Sequence, residues 1–500
     1  MKRYWPLAAI IAMFLVLSEA SGWTKRPWMD EAWMSAPGVD LAVRGQTGVT
    51  ILDPTDQTVT VGYVMTGVQE HSYLWMPTAA FFQAPWFKLF GAGVLSDRSF
   101  STLWGLITLI CWFSVVRTLS GRESLALLSI GLIAVDSAFL DAASDGRTEM
   151  LTVGLGSLAM AGYLHLREMR LPLAILFSQT CVALAFFIHP VGGAALFAVL
   201  MLYVTFDRHR FHWSHLLIAS VPYVAGAACS AAYIFQHLPE FQAQMTAVIH
   251  AREKSRSGVL DGFSGEVKRR LFGYYFPPYA SGSGKIKILL LIGYTIGVIG
   301  AFFQKTFRTA GGRVLLAFPV LYFTLLALFE PAKQLYYMVY LTPVFAISLA
   351  VLIYCLWIEH RVPRFVLGAG LAVFIILQLS WTAATIRRDS YHQDFLPAAQ
   401  FIQQHSRPGS LTIGSGEFAF ALGFHGGFLI DSTLGYTSGK RADFIVVDER
   451  GFMEAFRGYE HKAPKIHEYI KRLLQSEYRP VYENKVYKIH ARIVPGQAMP

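Results

Sequence analysis

Residues 4–33 read YWPLAAIIAMFLVLSEASGWTKRPWMDEAW. An apolar run over about 4–21 is long enough to carry the chain through a bilayer. It is followed by Lys25 and Arg26, and then by two adjacent acids, Asp30 and Glu31, set between Trp28 and Trp33. Tryptophans flanking an apolar run mark a membrane–water interface. The first acids beyond the run therefore stand where a lipid-borne substrate meets water. A carboxylate at that place can act as a general base.

The rest of the chain carries further apolar runs but no internal repeat. Of the 500 residues, 54% are hydrophobic and only 15% charged, against ~25% charged in soluble domains. The apolar excess falls in long runs, so the chain reads as a polytopic membrane protein. The runs lie near 4–21, 99–116, 123–140, 149–165, 172–188, 191–206, 216–236, 286–304, 314–330, 336–357 and 365–385, about eleven spans. The net charge of +10 does not indicate a nucleic-acid partner, because much of it sits in short loops on one side. Arg117 and Arg122, Arg167 and Arg170, Arg208 and Arg210, Lys305, Arg308 and Arg313, and Arg361 and Arg364 share that side with Lys2 and Arg3. Basic short loops stay cytoplasmic, which places the N-terminus inside and the C-terminus outside a plasma membrane. The four cysteines, Cys111, Cys181, Cys229 and Cys355, all fall in apolar runs, so neither a disulfide nor a thiolate metal site is expected.

Three outside segments are long: about 22–98, 237–285 and the tail from 386. The tail alternates short apolar runs (Leu411–Ile413, Phe428–Ile430, Phe444–Val447) with Gly, Asp and Ser, carries helical patterns at 392–405 and Ala463–Ser476, and ends in a hairpin pattern at Val481–Ile489. It reads as a small soluble α/β module, giving a division into a membrane domain, 1–388, and an extracytoplasmic domain, 389–500. Residues 1–21 also carry signal-peptide features, including Ser18-Glu19-Ala20 as a cleavage site. A retained helix is the favoured reading, and both readings leave residue 22 outside.

Several motifs fall in a definite order. After Trp28-Met29-Asp30-Glu31-Ala32-Trp33 come Pro77, Phe87-Lys88-Leu89-Phe90-Gly91, and Arg98 opening the second span. Asp145-Gly146-Arg147-Thr148-Glu149-Met150 occupies the second outside turn, and Lys333-Gln334-Leu335-Tyr336-Tyr337 precedes a span containing Pro343. In this order the chain resembles the membrane glycosyltransferases of the C superfamily, in the branch of protein O-mannosyltransferases, aminoarabinose transferases and lipid A core galacturonosyltransferases. The resemblance covers roughly residues 1–385. It departs beside the loop proline, where relatives often carry His or Lys: here Trp75 and Met76 stand there, and the nearest histidine is His71.

The resemblance implies transfer of a sugar from a polyprenyl-phosphate donor to a hydroxyl of a glycan, lipid or protein acceptor, with inversion at the anomeric carbon. The leaving phosphate is already an anion, so the chemistry needs a base and cations rather than a general acid. Asp30 is the expected base and Glu31 its companion. Arg147, Arg252, Arg256, Arg269, Lys333 and Tyr336 are the candidates for the donor phosphate; for the basic outer loop, contact with anionic membrane lipids is the competing role. His71, Arg98 and Glu149 are candidate substrate contacts. No obligate metal is expected: Asp30, Glu31 and His71 have no recognised ligand spacing. A lipid-linked sugar transporter or flippase is the rival reading, but the two similar halves usual for one are absent from the sequence.

Overall fold

Each of the eleven apolar runs is helical in the computed structural model, which describes residues 5–55, 65–73, 77–253, 258–276, 285–448 and 451–493. The helices are Trp5–Thr24, Val94–Ser120, Glu123–Val135 with Ser137–Ala143, Glu149–Leu166, Leu171–Ile188, Ala194–Phe206, Trp213–Gln236, Ile288–Phe302, Ala310–Phe329, Met338–Ile358 and Arg364–Arg388. Among the described residues, seven helices are long and apolar enough to cross a membrane, and eight if the bent pair Glu123–Val135 and Ser137–Ala143 counts as one span. The 67° bend of that pair has a cause in the sequence. Buried Asp136 ends the first helix and caps the second, accepting hydrogen bonds from the Ala138 and Phe139 amides at 2.8 and 3.0 Å. Small residues set the closest helix approaches: a Cβ on Gly297 would lie 2.7 Å from the Leu349 Cα.

The connections of the bundle include four helices that the apolar runs do not reveal, among them Met29–Arg44, Thr78–Phe90 and Leu238–Glu253. The fourth is an irregular helix over 259–275, in which Glu266–Leu271 takes π geometry. Met29–Arg44 lies against Thr78–Phe90, and Gly38 allows this, since a Cβ there would meet Gln83 at 2.7 Å.

The tail forms a five-stranded sheet: β1 (Thr412–Ile413), β2 (Phe428–Leu429), β3 (Phe444–Asp448), β4 (Tyr478–Glu483) and β5 (Tyr487–Arg492). Its order is β2-β1-β3-β5-β4, parallel at β1 with both neighbours and antiparallel elsewhere. The central strand shows why the sheet is buried on both sides. Residues alternate faces along a strand. Ile445 and Val447 join Tyr459, Ile470 and Leu473 from the helices Phe452–Lys462 and Pro464–Ser476. Phe444 and Val446 face the other way, into a core built with Ala32, Ala36, Val39, Ile51 and Leu52 of the segment that follows the first helix. Leu52 and Ile430 form a parallel β-bridge. The helix Phe452–Lys462 packs Phe452, Met453, Ala455 and Phe456 against the core of Ile445 and Val447, with Tyr459 its one buried residue.

Candidate active site

The first helix ends at Thr24, and the chain turns through Lys25, Arg26 and Pro27 into the helix Met29–Arg44. Asp30 and Glu31 thus fall in the first turn of a helix, where the macrodipole favours carboxylates. Consecutive helical residues point about 100° apart, so the two acids meet different surroundings.

Glu31 turns inward and is fully buried. Its carboxylate takes a bidentate pair from Arg98, Nε and Nη2 each at 2.8 Å, together with the Gly146 amide at 3.0 Å and the Trp28 amide at 2.8 Å. Burial alone would raise this acid; Arg98 outweighs it and holds Glu31 below the usual carboxylate range. Arg98 spends its remaining donors on the end of the first helix, at Gly22 O (2.6 Å), Lys25 O (2.5 Å) and Arg26 O (3.1 Å). All five of its N–H groups are therefore used.

Asp30 turns the other way and remains partly open, with 24% of its side chain exposed. Its Oδ2 is paired with Arg147 Nη1, and among the described residues its Oδ1 carries no hydrogen bond. Arg147 is buried and gripped on three sides. Glu149 takes its Nη2 at 2.8 Å and Nε at 3.2 Å. The Tyr336 ring lies 3.7 Å from its guanidinium and the Trp28 ring 5.2 Å. Two carboxylates beside it keep Arg147 firmly protonated against its burial. Gly146 makes this placement possible: a Cβ there would fall 1.6 Å from Asp97 Oδ2, so only glycine lets the loop pass close enough to bring Arg147 to Asp30. Lys25 ties the same loop down through Asp145 at 2.6 Å.

A second cluster adjoins the first through the neighbouring rings of Tyr336 and Tyr337, 4.7 Å apart. The guanidinium of Arg270 sits 5.7 Å from the Tyr337 ring. Arg270 pairs with Glu266 at 2.8 Å and also with Glu330. Lys333, at φ +54°, reaches Leu326 O at 3.0 Å, Ala327 O at 2.8 Å and Glu266 at 3.3 Å. Its three donors cap a helix end and join an ion pair, and its pKa is lowered, first by burial. Arg269 and Lys268 point outward from this cluster, Arg269 with one hydrogen bond, to Ala332 O at 3.1 Å.

The structure therefore gathers Asp30, Arg147, Glu149 and Tyr336 in one site, with Lys333 and Arg269 in the adjoining cluster. Glu31 and Arg98 form the buried support behind it. His71 lies elsewhere, stacked on His237 at 3.9 Å and 3.3 Å from Glu240. Those three offer ligand atoms within 4.8 Å of one another, the one group among the described residues suited to a metal ion, and its members come from two separate outer segments. Asp30 and Glu31 are not part of it. Arg252 lies in the helix Leu238–Glu253, but its side chain is outside the described residues, and so is all of Arg256. His189, at the end of an apolar run and before Pro190, brings its Nε2 to 2.9 Å from Tyr337 Oη.

One helical turn deeper, a small, partly open pocket lies among Thr152, Gly156, Gly192, Tyr322 and Tyr340. Thr152 follows Glu149, and Tyr340 follows Tyr336, by about one turn, so the pocket lies directly beneath the Arg147 site.

No protein-family model and no curated protein matches this chain. Solved structures do. The chain is similar to ArnT from Cupriavidus metallidurans bound to undecaprenyl phosphate, with TM-score 0.64 and 15% identity, covering 100% of each chain. It is similar to the apo state of the same protein, with TM-score 0.63 and 15% identity, covering 97% of this chain and 98% of that one. The archaeal oligosaccharyltransferase AglB from Archaeoglobus fulgidus, in complex with an inhibitory peptide and a dolichol-phosphate, aligns with TM-score 0.52 and 12% identity over 89% of this chain and 70% of that one. These neighbours are C-superfamily membrane glycosyltransferases, and the fold of this chain is theirs: a polytopic helical domain with a small C-terminal sheet.

Proposed function

We propose that this protein transfers a sugar from a polyprenyl-phosphate carrier to an acceptor hydroxyl at the outer face of the plasma membrane. The observation that carries this reading is the state of Asp30. It is an open carboxylate, oriented through one oxygen by a buried arginine, at the membrane end of a helical bundle with a glycosyltransferase fold. The two solved structures that hold a polyprenyl or dolichyl phosphate support a lipid-linked donor.

In this mechanism the acceptor oxygen attacks the anomeric carbon as its proton passes to Asp30 Oδ1. The bond from that carbon to the phosphate oxygen breaks, and the phosphate leaves with the electron pair. A single displacement inverts the anomeric carbon. Arg147 keeps Asp30 in place and contributes positive charge beside the departing phosphate; exposed Arg269 and Lys268 supply more at the rim. Glu31 and Arg98 act by fixing the turn that carries Asp30. The mechanism is drawn without an obligate divalent ion. The orientation follows the basic short loops, with the site and the C-terminal module outside.

The test is Asp30→Asn, which retains size and removes the proton acceptor. Positioned general-base catalysis is worth ~10²–10⁴-fold, so transfer from a radiolabelled polyprenyl-phosphate sugar in liposomes should fall by that much while donor binding persists. Turnover within about threefold of wild type, far short of that effect, overturns the mechanism.

A further inference from the structure

The turn that delivers Asp30 rests on the C-terminal module at three points. The Arg26 amide donates to Ser390 Oγ at 2.9 Å. The Arg26 guanidinium reaches Tyr487 Oη at 3.4 Å. Gly416 lies under Met29, the residue before Asp30, where a Cβ would fall 2.9 Å from Met29 Cγ and 3.2 Å from its carbonyl oxygen. The residue after Gly416 is Glu417, a carboxylate buried to 3% exposure. It accepts a hydrogen bond from Tyr487 Oη at 2.9 Å and another from Ser415 Oγ. Arg26, Tyr487 and Glu417 thus form a string from the turn to a buried acid, in a place no step of the transfer requires one.

We infer that Glu417 is a positioning residue for Asp30: ionised, it holds Arg26 through Tyr487 and so fixes the turn on which Asp30 stands. The inference rests on the reading of Asp30 as the base. Its direction follows from hydrogen-bond accounting. Both hydroxyls donate to Glu417, which suits a carboxylate with two acceptor oxygens. Tyr487 Oη, with its O–H directed at Glu417, keeps its lone pairs free to accept from Arg26. A protonated Glu417 must itself donate, which takes a lone pair from one of the hydroxyls and removes the negative charge that draws Arg26. The charged and titratable groups facing Glu417 are Tyr487 from β5, Arg26 from the turn and Asp448 at the end of β3. Burial, and then the nearby Asp448, push Glu417 up to about 7, so it changes state within the physiological range.

Glu417→Gln mimics the protonated acid, and Tyr487→Phe cuts the string without touching the acid. Both are compared with wild type in liposomes, about one unit below and one unit above the Glu417 value of about 7. Wild-type kcat should rise with pH by roughly fivefold, the worth of one ordinary hydrogen bond. Both variants should stay at the low level at either pH, with an unchanged donor KM because neither residue touches substrate. Hydrogen exchange of the Met29 to Glu31 amides, corrected for its intrinsic pH dependence, should slow at high pH in wild type alone. A Gln variant that keeps the wild-type pH step and wild-type protection overturns the inference. The exchange readout does not depend on the reaction, so an active Asp30→Asn would sink the base assignment without concealing whether the string holds the turn.

Discussion

Glu31→Gln separates the two adjacent acids, because it should cost stability where Asp30→Asn costs activity. The Glu31 carboxylate accepts four hydrogen bonds, two of them from Arg98, with neither partner in contact with water. A glutamine presents one acceptor oxygen and one NH₂, so at least one Arg98 donor meets another donor. Arg98 is then a buried charge without its counter-ion. Removing one partner of a buried pair costs about 3–5 kcal/mol, so the variant should unfold earlier by that amount. The readout is thermal and denaturant unfolding in nanodiscs, followed by tryptophan fluorescence, with proteolysis of the 25–31 turn as a local probe. A second variant refines the argument. Replacing a buried pair by apolar residues is often neutral, but Glu31→Met with Arg98→Met also strips the donors from Gly22 O, Lys25 O and Arg26 O and the acceptor from the Trp28 and Gly146 amides. At about 1 kcal/mol for each lost hydrogen bond, the double variant should remain roughly 5 kcal/mol below wild type. If Glu31→Gln unfolds within about 0.5 kcal/mol of wild type, the size of an ordinary surface change, the reasoning is refuted.

Three further outcomes are expected. Arg147→Lys keeps the charge but loses the bidentate grip of Glu149 and the stacking on Tyr336 and Trp28, so kcat should fall by roughly tenfold or more with normal expression, the two being non-equivalent at such sites; unchanged kinetics would remove Arg147 from the site. Residues 389–500 expressed alone should aggregate, since Phe395, Phe418, Phe444 and Val446 lose the cover of the segment that follows the first helix; a cooperative melt of the fragment would contradict this. Glu417 is raised from 4.5 to about 7 on folding, so the stability it lends is complete below the lower value and is lost as pH rises through the upper one. Melting curves should therefore show Glu417→Gln equal to wild type in acid and more stable than it above neutrality by about 3 kcal/mol, at 1.36 kcal/mol per unit; a gain in acid instead would reverse the assignment.

The membrane part of this fold was legible because burying a helix in lipid demands a long apolar run, and the eleven runs are helical, one of them as a bent pair of helices. The connecting helices were not, for a physical reason. Met29–Arg44 and Thr78–Phe90 contain Pro37 and Pro85, which argue locally against a helix, and their apolar residues are shared between the bundle and the sheet. The continuous apolar run Phe444–Val447 did disclose β3, although only the structure shows that its two faces belong to different cores. At the site, position along the chain picked out Asp30, Glu31, Arg147 and Tyr336, but adjacency concealed that Asp30 and Glu31 point apart. His71 finds its neighbours in a segment more than 160 residues away, and Glu417 meets the turn through Tyr487. Such long-range meetings leave no periodic trace in a single sequence.

The bond between Arg26 and Tyr487 spans 461 residues, and this sets an order of events in the making of the protein. Arg26 leaves the ribosome with the first span, whereas Tyr487 follows only after every other span has been synthesised. At about 5–20 residues per second, the turn carrying Asp30 waits roughly 20–90 s for the strand that steadies it. A ribosome that stops early therefore leaves in the membrane a helical bundle whose Asp30 turn lacks its outer support. Synthesis of the last strand becomes a checkpoint, which withholds a fully assembled site from truncated chains.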